Sequence, residues 1–181
     1  MEKNIKIPEG IEASFEKLNL RIKGKLGEVE RDFYNRGTAN IIKIEKIGEE
    51  IKVSSKKDSK KEKALIGTTI AHINNLFKGV TSGYKYELKI VYVHFPLSVK
   101  KDNDEIVVSN FLGQKEDKKM KIPENVKIEI KKQDIIVSGI EKELVGQTAA
   151  DLEKLTKVCK KDRRRFQDGI FIMEKAIPSE E

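Results

Sequence analysis

Tryptophan is absent from this chain and cysteine occurs once, as Cys159. A lone cysteine excludes an intramolecular disulfide, so packing alone must hold the fold together, as suits a reducing compartment. Histidine is nearly as scarce, with only His72 and His94. One lies in a helical pattern and the other at a strand end, so with one thiol and no clustered carboxylates a structural zinc site lacks its ligands. A cysteine–histidine nucleophile pair would need Cys159 beside one of them. The position of Cys159, in the last turn of a helical pattern, places it on that helix's packed side instead. Gly24, Gly27 and Gly67 fall into no phosphate-cradling spacing. No apolar run approaches the ~18 residues that cross a bilayer, and Met1-Glu2-Lys3-Asn4-Ile5 has no signal-peptide core. An enzyme would be left without its acid, base, metal or cofactor. The expectation is a soluble, cytoplasmic, non-catalytic protein with neither a membrane partner nor a small-molecule substrate.

Charge, by contrast, is abundant. Charged residues make up 37% of the 181 residues and apolar ones 38%, so a packed core is still within reach. A net charge of +7 and a pI of about 9.3 call for an anionic partner, nucleic acid first and a membrane surface second.

The chain repeats itself. Ile7-Pro8-Glu9-Gly10-Ile11 recurs 115 residues later as Ile122-Pro123-Glu124-Asn125-Val126. Carried forward, that offset aligns Phe15 with Ile130, Asn19 with Asp134, Leu20 with Ile135, Ile22 with Val137 and Gly24 with Gly139. Each copy alternates apolar and polar residues around a turn former, which predicts a hairpin. Leu65-Ile66-Gly67-Thr68-Thr69-Ile70-Ala71 likewise resembles Leu144-Val145-Gly146-Gln147-Thr148-Ala149-Ala150. Ile66, Ile70, Ile73 and Phe77, and in the second copy Val145, Ala149, Leu152 and Leu155, recur at helical spacing. Gly83 and Gly169 follow the two helices. The fold class expected is α+β, with two tandem homologous domains at residues 1–82 and 83–181, each a small, mainly antiparallel sheet with one helix packed on a face. Further strands are expected over 38–44, 50–54, 84–96, 105–112 and 169–174, with a polar loop over 55–63 and a frayed tail over 178–181.

The excess charge is local. Lys154–Arg165 carries seven cations against the single acid Asp162, a net +6 of the chain's +7. On a continued helix Lys154, Lys157 and Lys161 share one face. Lys160 belongs to the same run, and Arg163, Arg164 and Arg165 follow where the chain turns towards Gly169. Arginine's planar fork suits bidentate phosphate contacts, whereas lysine acts as a point charge. Balancing a helix dipole needs one or two cations, not seven. On an extended segment Arg163 and Arg165 would face one way and Arg164 the other. A weaker cluster, Lys118, Lys119 and Lys121, could also reach a phosphate backbone, while the mixed run Lys56–Lys63 reads as readily as a solvated tip.

Two stretches resemble a known family. Gly146-Gln147-Thr148-Ala149-Ala150-Asp151-Leu152-Glu153, followed by Arg163-Arg164-Arg165-Phe166-Gln167-Asp168-Gly169-Ile170-Phe171-Ile172, is similar to the C-terminal signature of ribosomal protein six of the large subunit, in its archaeal and eukaryotic branch. The opening Ile7–Ile11, the Gly67-Thr68 pair, Tyr84-Lys85-Tyr86 and His94-Phe95-Pro96 match as well. Phe171 departs from the tyrosine usual there. The resemblance implies a structural constituent of the large ribosomal subunit, held to its ribosomal RNA mainly by the C-terminal domain. It also implies neighbouring ribosomal proteins as partners and a position near the stalk base and the sarcin–ricin loop. The residues alone reach only a duplicated α/β RNA binder with its main patch after the second helix. Two rival readings are a small RNA-modifying or processing factor, which lacks a convergent catalytic cluster, and a DNA-binding module, whose Lys154/Lys157/Lys161 face offers little base readout.

Overall fold

Alternating apolar residues bounded by tight turns do form strands here, and five of the hairpins among the described residues close over two residues. The computed structural model describes residues 2–16, 19–33, 41–48, 50–55 and 59–178. It divides into two compact units, Met1–Ser82 and Gly83–Glu181.

In the first unit β1 (Glu2–Lys6), β5 (Ile42–Ile47) and β6 (Glu50–Ser55) make one antiparallel sheet in the order β1-β6-β5. A second sheet holds β2 (Glu12–Glu16), β3 (Asn19–Gly24) and β4 (Gly27–Asp32) in the order β2-β3-β4. Helix α1 (Lys60–Thr81) buries Ile66, Thr69, Ile73, Leu76, Phe77 and Val80. These meet the inward residues Leu20, Ile22, Ile51 and Val53, all fully buried. Ser59 caps α1 by accepting the Glu62 N–H at 3.4 Å, so the helix starts inside the segment expected as a loop, and Lys60–Lys63 form its first turn. Lys56 and Lys57 lie outside the described residues.

The second unit repeats this plan. A sheet of order β11-β12-β7-β13 joins β7 (Tyr84–Val91), β11 (Val126–Lys131), β12 (Asp134–Gly139) and β13 (Gly169–Pro178). A second sheet, β10-β9-β8, holds β8 (Ser98–Asp102), β9 (Glu105–Ser109) and β10 (Lys118–Lys121). Helix α2 (Lys142–Leu155) buries Val145, Thr148, Ala149 and Leu152 against Ile135, Val137, Leu88 and Ile170.

The strand orders correct the frame of the repeat. Residues 12–24 and 126–139 are both hairpins of matching register, but they occupy different places in their units. The first belongs to the sheet β2-β3-β4, whose counterpart is β8-β9-β10. The true partner of β11–β12 is β5–β6: Ile42 corresponds to Val126, Ile44 to Ile128, Ile51 to Ile135 and Val53 to Val137, all buried and all 84 residues apart. The helices match as expected. Thr69 and Thr148 are both buried and both donate to the carbonyl four residues back, at 3.0 and 2.7 Å.

Several boundaries differ from expectation. The strand over 84–96 stops at Val91, because the Val93 and His94 N–H groups turn to a carboxylate instead of a neighbouring strand. The strand over 105–112 gives way after Ser109 to a short 3-10 turn, Phe111–Gly113. Of the strand over 38–44, residues 38–40 lie outside the described residues and β5 begins at Ile42. β13 runs to Pro178 rather than Glu174, with register shifts between Ile172 and Glu174 and again before Ile177. Such irregularity on an edge strand discourages pairing with another chain.

Candidate nucleic-acid interface

Helix α2 ends at Leu155, so Lys157, Lys160 and Lys161 are not on its face. Thr156 is the C-cap, the Lys157 N–H returns to the Lys154 carbonyl at 3.1 Å, and Lys160 adopts a left-handed φ of +60°. From there to Asp168 the chain is a loop, and Cys159 lies exposed on it rather than on a packed helix side. Arg163–Arg165 form a turn, not an extended segment. Asp162 organises that turn: its side chain accepts the Arg164 N–H at 3.0 Å, and its carbonyl accepts the Arg165 and Phe166 N–H groups at 3.1 and 2.9 Å. The alternation expected of the three arginines therefore has no backbone to support it. All three are exposed, as are Lys157, Lys160 and Lys161.

Buried anchors hold the loop from beneath. At its start Thr156, 3% exposed, accepts the Ile170 N–H through its hydroxyl at 2.8 Å, and Val158 packs into the core. At its end Asp168 is 1% exposed and takes three donors: the Val93 N–H at 2.6 Å, the His94 N–H at 3.1 Å and His94 Nδ1 at 3.1 Å. Burial pushes the Asp168 carboxyl upward, but these hydrogen bonds and the facing imidazole outweigh it and hold it below the usual aspartate range. Phe166 stacks at a tilt on His94, 5.1 Å between centroids, and the Lys161 ammonium sits 4.7 Å over the Phe166 ring.

Lys154 pairs with Asp151 at 3.4 Å, while among the described residues Arg163, Arg164 and Arg165 have no ion pair. Exposed arginines without an ion pair leave their planar guanidinium forks open to an anion.

Of the second cluster, Lys118 is turned inward. Its ammonium donates to the Leu155 carbonyl at 2.8 Å and lies 4.4 Å over the Phe111 ring, capping the end of α2. Lys119 and Lys121 are exposed on β10. Lys119 and Lys100 pair with Val107 from either side, so Lys100 joins the exposed cations of that sheet, unforeseen because β8 itself was. Asp168 and His94 were also missed as a pair. Nothing local in the sequence links residues 74 apart.

The family model for ribosomal protein L6 matches this chain twice, over residues 7–94 and 95–169. The chain belongs to the ribosomal protein L6 family. It is 42% identical over 174 residues to the large ribosomal subunit protein uL6 of Aeropyrum pernix, covering 96% of this chain and 93% of that one. To the uL6 protein of Staphylothermus marinus it is 46% identical over 173 residues, 94% of this chain and 92% of the other. The uL6 protein of Methanosarcina mazei is 42% identical over 174 residues, 96% and 97% of the two chains. The chain is therefore a structural protein of the large subunit of the cytoplasmic ribosome, not an enzyme. The two matches meet between His94 and Phe95, whereas the two compact units meet between Ser82 and Gly83. β7 follows α1 as β13 follows α2, yet both lie in the second unit's sheet, paired at Ile90–Ile170 and Leu88–Ile172.

Proposed function

We propose that the second unit binds large-subunit ribosomal RNA through the loop after α2, with Arg163, Arg164 and Arg165 as its main phosphate contacts. Lys154, Lys157, Lys160 and Lys161 add point charges around them. Lys119 and Lys121 extend the surface, and Lys118 supports it from within. The observation that carries this reading is a net +6 segment fixed by buried side chains while its arginines stay unpaired. Solvated charge meant only for solubility needs no such anchoring. The protein ties RNA segments together and performs no chemistry. Its proposed place is the factor-binding region, near the stalk base and the sarcin–ricin loop, beside neighbouring ribosomal proteins, as the family resemblance implies.

Two measurements test this. Tagged full-length protein should co-sediment with large subunits through a sucrose gradient, and the triple change of Arg163, Arg164 and Arg165 to alanine should shift it to the top of the gradient. Hydroxyl-radical cleavage from a probe on Cys159, exposed in the same loop, should mark RNA of the sarcin–ricin region. Cleavage confined to other RNA segments would refute the placement, and co-sedimentation of the triple variant would refute the site.

A further inference from the structure

Between the basic loop and the start of β13 lies a groove of about 630 Å³. Its walls are Val91, Val158, Ile170 and the rings of Phe166 and Phe171, and its rim carries Lys154, Lys157 and Arg163. Volumes of this order hold small organic ligands. Of the two rings, Phe166 already meets the Lys161 ammonium and the His94 imidazole. Phe171 is 40% exposed, although it lies within a strand.

An apolar cleft with cations along its rim suits an occupant that is flat and apolar on its faces and anionic at one end. We propose that the groove receives one unpaired nucleotide of the RNA, its base stacked on Phe171 and its phosphate held by Lys157 and Arg163. This rests on the reading that the loop binds RNA. Double-helical RNA cannot fill such a cleft, since its bases are stacked inside the helix, whereas a splayed-out base stacks readily on an aromatic side chain. Glu153 also lines the groove. Its carboxylate repels a phosphate but accepts from an exocyclic amine, which directs the base inward and the phosphate towards Lys157 and Arg163. An adenine edge satisfies this arrangement.

The test uses full-length protein and two hairpin RNAs, identical except that one carries a single unpaired adenosine in its stem. Wild-type protein should bind the bulged hairpin about tenfold more tightly, as base–aromatic stacking provides. Phe171→Leu keeps the apolar bulk but removes the ring; it should lose the preference while binding the fully paired hairpin as before. Phe171→Tyr should keep the preference. Equal affinities of the wild-type protein for the two hairpins would overturn the nucleotide pocket while leaving phosphate binding intact. So would a preference that survives in Phe171→Leu. Failure of wild-type protein to bind either hairpin would overturn the RNA reading and the pocket with it.

Discussion

Asp168 and His94 meet across 74 residues of chain: the buried carboxylate accepts both the backbone N–H and ring Nδ1 of His94, each at 3.1 Å. The contact ties the end of the basic loop to the turn after β7. It makes loop geometry depend on a buried carboxylate outside the basic run.

Asp168→Ala should therefore destabilise the protein by about 1.5–3 kcal/mol, since it removes the charged acceptor of the Val93 and His94 N–H groups. The pH dependence follows from the lowered carboxyl. A group held below its unfolded value stabilises the fold fully above that value, and the contribution fades as pH falls through the folded one. Wild-type stability to urea should drop as pH falls below about 4, and Asp168→Ala should show a smaller drop. A variant that unfolds with unchanged pH dependence would show that Asp168 is not the titrating latch.

The repeat's two helix glycines should respond differently to alanine. A Cβ on Gly67 meets nothing within 4 Å, whereas one on Gly146 would lie 3.1 Å from the Tyr86 hydroxyl. The difference traces to the strand packed alongside: Tyr86 pairs with Val137 in the second unit, and exposed Lys3 pairs with Val53 at the matching place in the first. Gly67→Ala should raise stability by about 0.5–1 kcal/mol, the helix cost of glycine. Gly146→Ala should gain less than Gly67→Ala or lose stability, because the tyrosine must move. Thermal unfolding of the two variants decides it.

What the sequence showed and what it hid have one physical cause. Alternation and turn formers are local, so Leu20, Ile22, Ile135 and Val137 could be assigned to inward strand faces from residues alone. The helix stripe Ile66, Ile73, Phe77 was equally legible, although Ile70 is only half-buried. Strand neighbours are not local. Hairpins closing at Glu16–Asn19, Ile47–Glu50, Asp102–Glu105 and Lys131–Asp134 all span two residues. Any of them aligns with any other, and the Ile-Pro-Glu match singled out the wrong pair. In the site, the charge of the loop was visible, but its path was not. The end of α2 at Leu155 and the inward turn of Lys118 depend on contacts from β10 and β13. Asp168 read as a turn residue because its three donors come from the far end of β7.

Lys118 separates structural from binding charge. Because its ammonium caps the Leu155 carbonyl, Lys118→Met should cost about 0.5–1.5 kcal/mol of stability, the net value of one hydrogen bond. The same change should leave the salt dependence of RNA binding as in the wild type. Lys119→Met, on the exposed side of the same strand, should do the reverse: unchanged stability and a shallower salt slope. An altered slope in Lys118→Met would mean its ammonium leaves the helix end to meet RNA.

The arginine turn should carry more of the affinity than an equal number of cations elsewhere. Each phosphate contact removed flattens the log–log dependence of binding on salt by roughly 0.7–0.9. Arg163, Arg164 and Arg165 changed together to alanine should therefore lower the slope by roughly 2–3 if all three reach phosphates. Lys60, Lys61 and Lys63, in the first turn of α1, provide the matched control, since they too are three exposed cations at a helix end. Their joint change should leave both slope and affinity near wild type. The backbone N–H groups of Arg164 and Arg165 are engaged by Asp162 whatever their side chains, so the turn survives the triple change and the comparison reads side-chain charge alone. Filter binding to a large-subunit RNA fragment at several salt concentrations supplies both numbers. Equal losses from the two sets would mean that the protein attracts RNA through its overall charge, and that the anchoring at Thr156 and Asp168 serves the fold and not the interface.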